Sequence, residues 1–162
     1  MEKQPETHNE LLGKIASNFS NLELVLSCFV TKLISDDSKI GTIVTAEMSF
    51  QNLLKAFYSL TKYKIKDIGQ LNAIDGLIKR LNTAEQERNA ILHSAYLKRD
   101  TDNENEVFRI KVTAKQGKGL KITKELVDVE NLKQKTKDLV EIMLELESIH
   151  KSLYNDEGFN FA

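Results

Sequence analysis

With 162 residues and a net charge of −1, the chain is long enough to form one domain, expected over 1–162. At that length roughly two-thirds of the unfolded surface can be buried, so no disulfide or metal staple is needed. Hydrophobic residues are 41% and charged residues 29%, an ordinary balance that excludes a global signature for nucleic acid or membrane; any RNA site has to come from local charge. The lone cysteine, Cys28, excludes an intrachain disulfide and points to a reducing, cytoplasmic setting.

The polar start, MEKQPETHNE, has no apolar signal core. The first helix is expected from about Thr7 to Ile34, with Leu12, Ile15, Phe19, Leu22, Leu26, Phe29 and Leu33 recurring in steps of three and four. Cys28 lies among Leu26, Phe29 and Val30 and reads as core rather than nucleophile. The stretch Leu24 to Val30 is too short to span a bilayer, so no membrane contact is expected. Asp36-Asp37-Ser38 and Gly41 break the pattern. A second helix starts near Ser49, a good N-cap, and carries Phe50, Leu53, Leu54, Phe57 and Leu60.

A third helix is expected from about Ile68 to Leu97. Leu71, Ile74, Ile78 and Leu81 keep the helical step, Leu92 and Ala95 resume it, and Glu85, Glu87, Arg88 and Asn89 interrupt it. After the polar loop Arg99 to Glu106 the period falls to two: Phe108, Ile110 and Val112 alternate with Arg109, Lys111 and Thr113, and Leu120 and Ile122 with Lys121 and Thr123. This predicts a β-hairpin over about 107–124, turning at Gly117-Lys118-Gly119. Asp128 caps a last helix to about Tyr154, with Leu132, Leu139, Ile142, Leu146, Ile149 and Leu153 facing in. The tail, about 155–162, is expected to be flexible. The fold class is therefore all-α: an up-and-down bundle of four to five helices with a β-hairpin before the last.

The interruption in the third helix carries the chemistry. Arg88 and Asn89 stand where the stripe calls for apolar residues, and a charge there costs stability unless it is paired. Local rules that fail in this way mark functional sites. On an ideal helix Asn89 and His93 share one face, while Arg88 and His93 are about 140° apart. They converge on one ligand only through the length of Arg88, a local distortion, or a second copy across a two-fold axis. The bland alternative is that Arg88 pairs with Glu85 or a glutamate elsewhere and that His93 is a satisfied, half-buried histidine.

The run Glu87-Arg88-Asn89-Ala90-Ile91-Leu92-His93-Ser94 resembles the signature of HEPN nucleases: Arg, a polar residue, a short spacer, then His. Here four residues separate Arg88 from His93. Glu87 and Ser94 also resemble positions in bacterial HEPN toxin and defence proteins, and the helical order agrees over the whole chain. The resemblance implies a homodimeric, metal-independent RNA endonuclease with no cofactor, acting through Arg88, Asn89 and His93. It also implies an antitoxin or other system protein as a possible partner. Histidine moves protons near neutral pH, and arginine offers phosphate oxygens paired donors. Asn89 orients the ring or binds phosphate. In one branch of the family a partner nucleotidyltransferase modifies a tyrosine two residues after the histidine. Tyr96 is three after His93, and its packing on the bundle is the preferred reading. The other function class is a non-catalytic HEPN-type dimerisation or partner-binding module.

Weaker signals remain. Val107 to Lys124 holds six basic residues and no acidic one, and Arg109, Lys111, Lys115 and Lys118 are its RNA-binding candidates. Lysines on strands also protect sheet edges. Glu147 and His150 have the Glu-x-x-His spacing of di-iron bundles, but those sites need two such pairs. His150 is expected on a solvated face, and no metal site is expected.

Overall fold

A computed structural model describes residues 7–98, 106–115 and 119–154, with only the backbone of Lys115. The tail 155–162, the loop 99–105 and Lys118 lie outside the described residues. Five helices and three strands follow in the order α1 (His8–Ile34), α2 (Ser38–Thr45), α3 (Phe50–Lys64), α4 (Ile68–Leu92), β1 (Ala95–Lys98), β2 (Val107–Lys115), β3 (Gly119–Leu126) and α5 (Val129–Tyr154). None of the described helices is long and apolar enough to cross a membrane.

Each long helix starts where a side chain takes up an orphan N–H. Thr7 and Glu10 form a capping box, the Thr7 hydroxyl accepting from the Glu10 N–H and the Glu10 carboxylate from the Thr7 N–H at 2.7 Å. Ser49, Asp67 and Asp128 accept from the N–H groups of Asn52, Gln70 and Asn131. α1 is the axis of the bundle and touches each of the other helices. Its core stripe is Leu11, Ile15, Phe19, Leu22, Leu26, Phe29 and Leu33; Leu11, rather than the expected Leu12, leads it. α3 adds Phe50, Leu53, Leu54 and Phe57, α4 adds Ile74, Leu77 and Leu81, and α5 adds Leu132, Leu139, Ile142 and Leu146.

Three expectations are corrected. The segment after α1 is not only a break: Asp37 caps α2 by accepting from the Lys39 N–H at 2.9 Å. Gly41 is a packing residue of that helix, because a Cβ there would stand 2.6 Å from the Thr31 carbonyl oxygen. The motif helix ends at Leu92 rather than Leu97, and the sheet does not sit where the hairpin was expected. It starts at Ala95, inside the stretch assigned to helix, and runs in three antiparallel strands to Leu126, ordered β1-β2-β3. Ala95 falls three residues after Leu92, a helical step, so the local pattern favours helix; pairing with β2, distant in sequence, overrides it. Finally, His150 is not on a solvated face. It is 3% exposed, continues the Leu146 stripe by one turn, and meets Phe29 edge-on at 4.9 Å between ring centres.

Candidate functional site

α4 reaches the site with its apolar stripe in α1 and α5. Arg80, Ala84 and Arg88 fall one turn apart along α4, so a small residue separates two long cations. The room left by Ala84 opens a cleft of about 300 Å³ between α1 (Ile15), α4 and α5 (Lys135, Asp138, Leu139, Ile142). Lys79, Thr83, Glu87 and Arg88 line its α4 wall.

Arg88 is half-buried there. Its guanidinium lies 5.0 Å from the ring centre of Phe19 and donates to the Asn89 side-chain carbonyl at 2.8 Å. Its Nε is buried without a hydrogen-bond partner. Among the described residues no carboxylate pairs with it. Glu85 instead accepts from Gln51, Glu87 pairs with Lys135 across the cleft, and Arg80 pairs with Glu141 and Glu145. The bland account of Arg88, an ion pair with Glu85 or a glutamate on another helix, therefore does not hold among the described residues. A partly desolvated cation with only neutral partners favours an anion.

His93 follows the last residue of α4. Its N–H still donates to the Asn89 carbonyl at 3.3 Å, and its side chain is exposed, with no hydrogen bond or ion pair among the described residues. It is not part of the cleft lining. Five residues of helical rise, about 7.5 Å, separate the levels of Arg88 and His93. Within one copy the fold joins Arg88 to Asn89 and leaves His93 apart, facing solvent.

No protein-family model, curated protein or solved structure matches this chain.

Tyr96 packs as expected. It is half-buried in β1, and its hydroxyl donates to the Ile91 carbonyl at 2.9 Å. Burial pushes its phenol above the ordinary value, with Arg109 working against that shift. The basic residues of the hairpin do not share one face. Arg109 pairs with Glu125, and Lys111 is half-buried on the same face. Lys124 lies on the opposite face, 4.4 Å from the ring centre of Phe108. Cys28 is half-buried, and burial raises its thiol pKa, the reverse of what a nucleophile needs. The described residues hold no group of three or more His, Cys, Asp or Glu suited to a metal.

Sequence reasoning did not single out Lys79, Thr83, Lys135 or Asp138 for this cleft. One usable signal was present, the alignment of Arg80, Ala84 and Arg88 on one face of α4. The α5 wall carries no such signal, because the meeting face of α5 is set by tertiary packing.

Proposed function

We propose that this chain is a HEPN-type endoribonuclease, a toxin or defence effector of the cytoplasm that cuts RNA as a homodimer without a metal. The observation that carries the reading is Arg88: a half-buried guanidinium at a cleft, with a buried, unbonded Nε and no carboxylate partner among the described residues. No charged partner among the described residues competes with phosphoryl oxygens for it, and Asn89 holds one edge.

In the proposed reaction a base takes the proton of a ribose 2′-OH, and that oxygen attacks the adjacent phosphorus. Arg88 stabilises the charge that builds on the non-bridging oxygens. The bond from phosphorus to the 5′-oxygen breaks, and an acid protonates the leaving oxygen. The products are a 2′,3′-cyclic phosphate and a 5′-hydroxyl. His93 is the proton-transfer group. Because His93 stands apart from Arg88 in one copy, the site is composed of Arg88 and Asn89 from one copy and His93 from the other. Lys111, with Lys115 and Lys118, extends the contact to the RNA backbone; Arg109 is held by Glu125 and contributes less.

The second reading is a non-catalytic HEPN-type dimerisation or partner-binding module. What favours it is the absence of His93 from the cleft lining and a cleft size, about 300 Å³, that suits one small ligand.

Mixing experiments on total RNA separate the two. Arg88→Ala and His93→Ala should each be inactive alone. Mixed together, half the dimers are hybrids with one intact site of two, so about a quarter of wild-type cleavage should return. Activity in either single variant overturns the composite site, and RNA left uncut by wild type favours the second reading.

A further inference from the structure

The register gives the three-stranded sheet two unlike faces. Tyr96, Arg109 and Glu125 lie in one row on the side that meets the bundle, where the Tyr96 hydroxyl reaches Ile91 and Val107 is buried. The opposite face holds the row Leu97, Phe108 and Leu126 and the cross-strand pairs Val112–Ile122 and Ala114–Leu120. An antiparallel sheet with one solvated face normally turns its polar side to water; this sheet turns its apolar side out. Leu97 is 55% exposed, Val112 59%, Leu120 67%, Ile122 62% and Leu126 57%.

We propose that this outer face is where a second copy of the chain docks, sheet against sheet about a two-fold axis. The five aliphatic side chains leave roughly 500 Å² open, within the range of the largest patch on a monomer and over half of the roughly 800 Å² each partner gives a standard interface. Among the described residues the face has no acidic one, and its one cation, Lys124, lies over its own Phe108. It offers little to a phosphate backbone or an acidic peptide. It does complement itself, as an isologous contact requires, and two such faces stack about 10 Å apart in a sandwich. Ala95, two residues after His93, pairs with Ile110 on this same face, so the face adjoins the segment that carries His93. The inference rests on the proposed function only for there being a dimer, and it names the surface that forms it.

Sedimentation velocity at micromolar concentration, without RNA, tests it on wild type and on the Val112→Glu/Ile122→Glu double variant. Wild type should be a dimer. The variant should be a folded monomer by circular dichroism, since both positions are exposed in the single copy, with dimer affinity weakened at least about 100-fold. If the charged pair unfolds the sheet, Val112→Ser/Ile122→Ser carries the test, with at least about 10-fold weakening. Variants that dimerise as tightly as wild type overturn the surface and leave a dimer formed elsewhere. A monomeric wild type overturns both the surface and the dimeric reading. If the variants lose RNA binding with no change of assembly, the face belongs to RNA and the proposal is wrong. A normal dimer that cuts no RNA removes the nuclease reading and leaves the interface standing.

Discussion

Replacing Arg88 by methionine should nearly abolish cleavage while leaving stability almost unchanged. The substitution removes the hydrogen bond to Asn89, worth about 0.5–1.5 kcal/mol, but it also removes a buried Nε whose lack of a partner costs about 1–3 kcal/mol. The stacking of the guanidinium on Phe19, about 0.5–2 kcal/mol, is replaced in part by a sulfur–aromatic contact of about 0.3–1.5 kcal/mol. At the midpoints of these ranges the sum lies within about 1 kcal/mol of zero. For a chain of this size that is a shift of at most about 4 °C in melting temperature, in either direction. Were Arg88 instead a structural ion pair, removing it would cost about 3–5 kcal/mol. Cleavage should fall by about 10²–10³-fold, the effect of removing one preorganised donor from a developing oxyanion. Differential scanning calorimetry and an RNA cleavage assay on the same preparation read both quantities. A destabilisation above about 2 kcal/mol, or cleavage within a few-fold of wild type, refutes the functional account of Arg88.

Asn89→Ala should lower cleavage by about ten-fold, less than the loss of Arg88, because it frees the guanidinium edge without removing its charge; single-turnover kinetics give the ratio. Gly41→Ala should lower stability by about 1–3 kcal/mol in urea unfolding, since the added Cβ meets the Thr31 backbone oxygen at 2.6 Å. Tyr96 governs an alkaline limb. Burial raises its pKa above the ordinary 10.0, so on raising the pH the unfolded chain loses the phenolic proton first. Its contribution is complete below about pH 10 and is lost as pH climbs through the folded value. Tyr96→Phe should flatten that limb in urea titrations at about pH 9 and about pH 11, and an unchanged slope would assign the alkaline loss to other groups.

Much of the bundle was legible because amphipathic helices announce themselves. Ser49 and Asp128 cap helices where the sequence placed them, the first helix begins at the expected place, and the α1 and α5 stripes face the core. What was not legible depended on partners distant in the chain. Gly41 looked like a breaker because its close approach to Thr31 is a contact between helices. Ala95 to Lys98 fitted a helix by its local pattern and became a strand through pairing with β2. His150 was legible in principle, as the next step of the Ile142–Leu146 stripe, but its polarity argued for water. At the site, the break in the α4 stripe pointed to Arg88, which lines the cleft, and to Asn89, which accepts a hydrogen bond from it. That His93 would fall just past the helix end, facing solvent, depended on where β1 begins.

The central claim, that His93 transfers a proton in metal-free cleavage by the ribose 2′-hydroxyl, is tested most directly by end-group analysis of RNA cut in EDTA by wild type and by His93→Ala. Wild type should leave 2′,3′-cyclic phosphate and 5′-hydroxyl ends at an undiminished rate and should not cut DNA. His93→Ala, at an exposed position, should fold as wild type does and be slower by roughly 10²–10⁴-fold. Cleavage that requires a divalent metal, leaves 3′-hydroxyl ends, or survives the loss of His93 would contradict it.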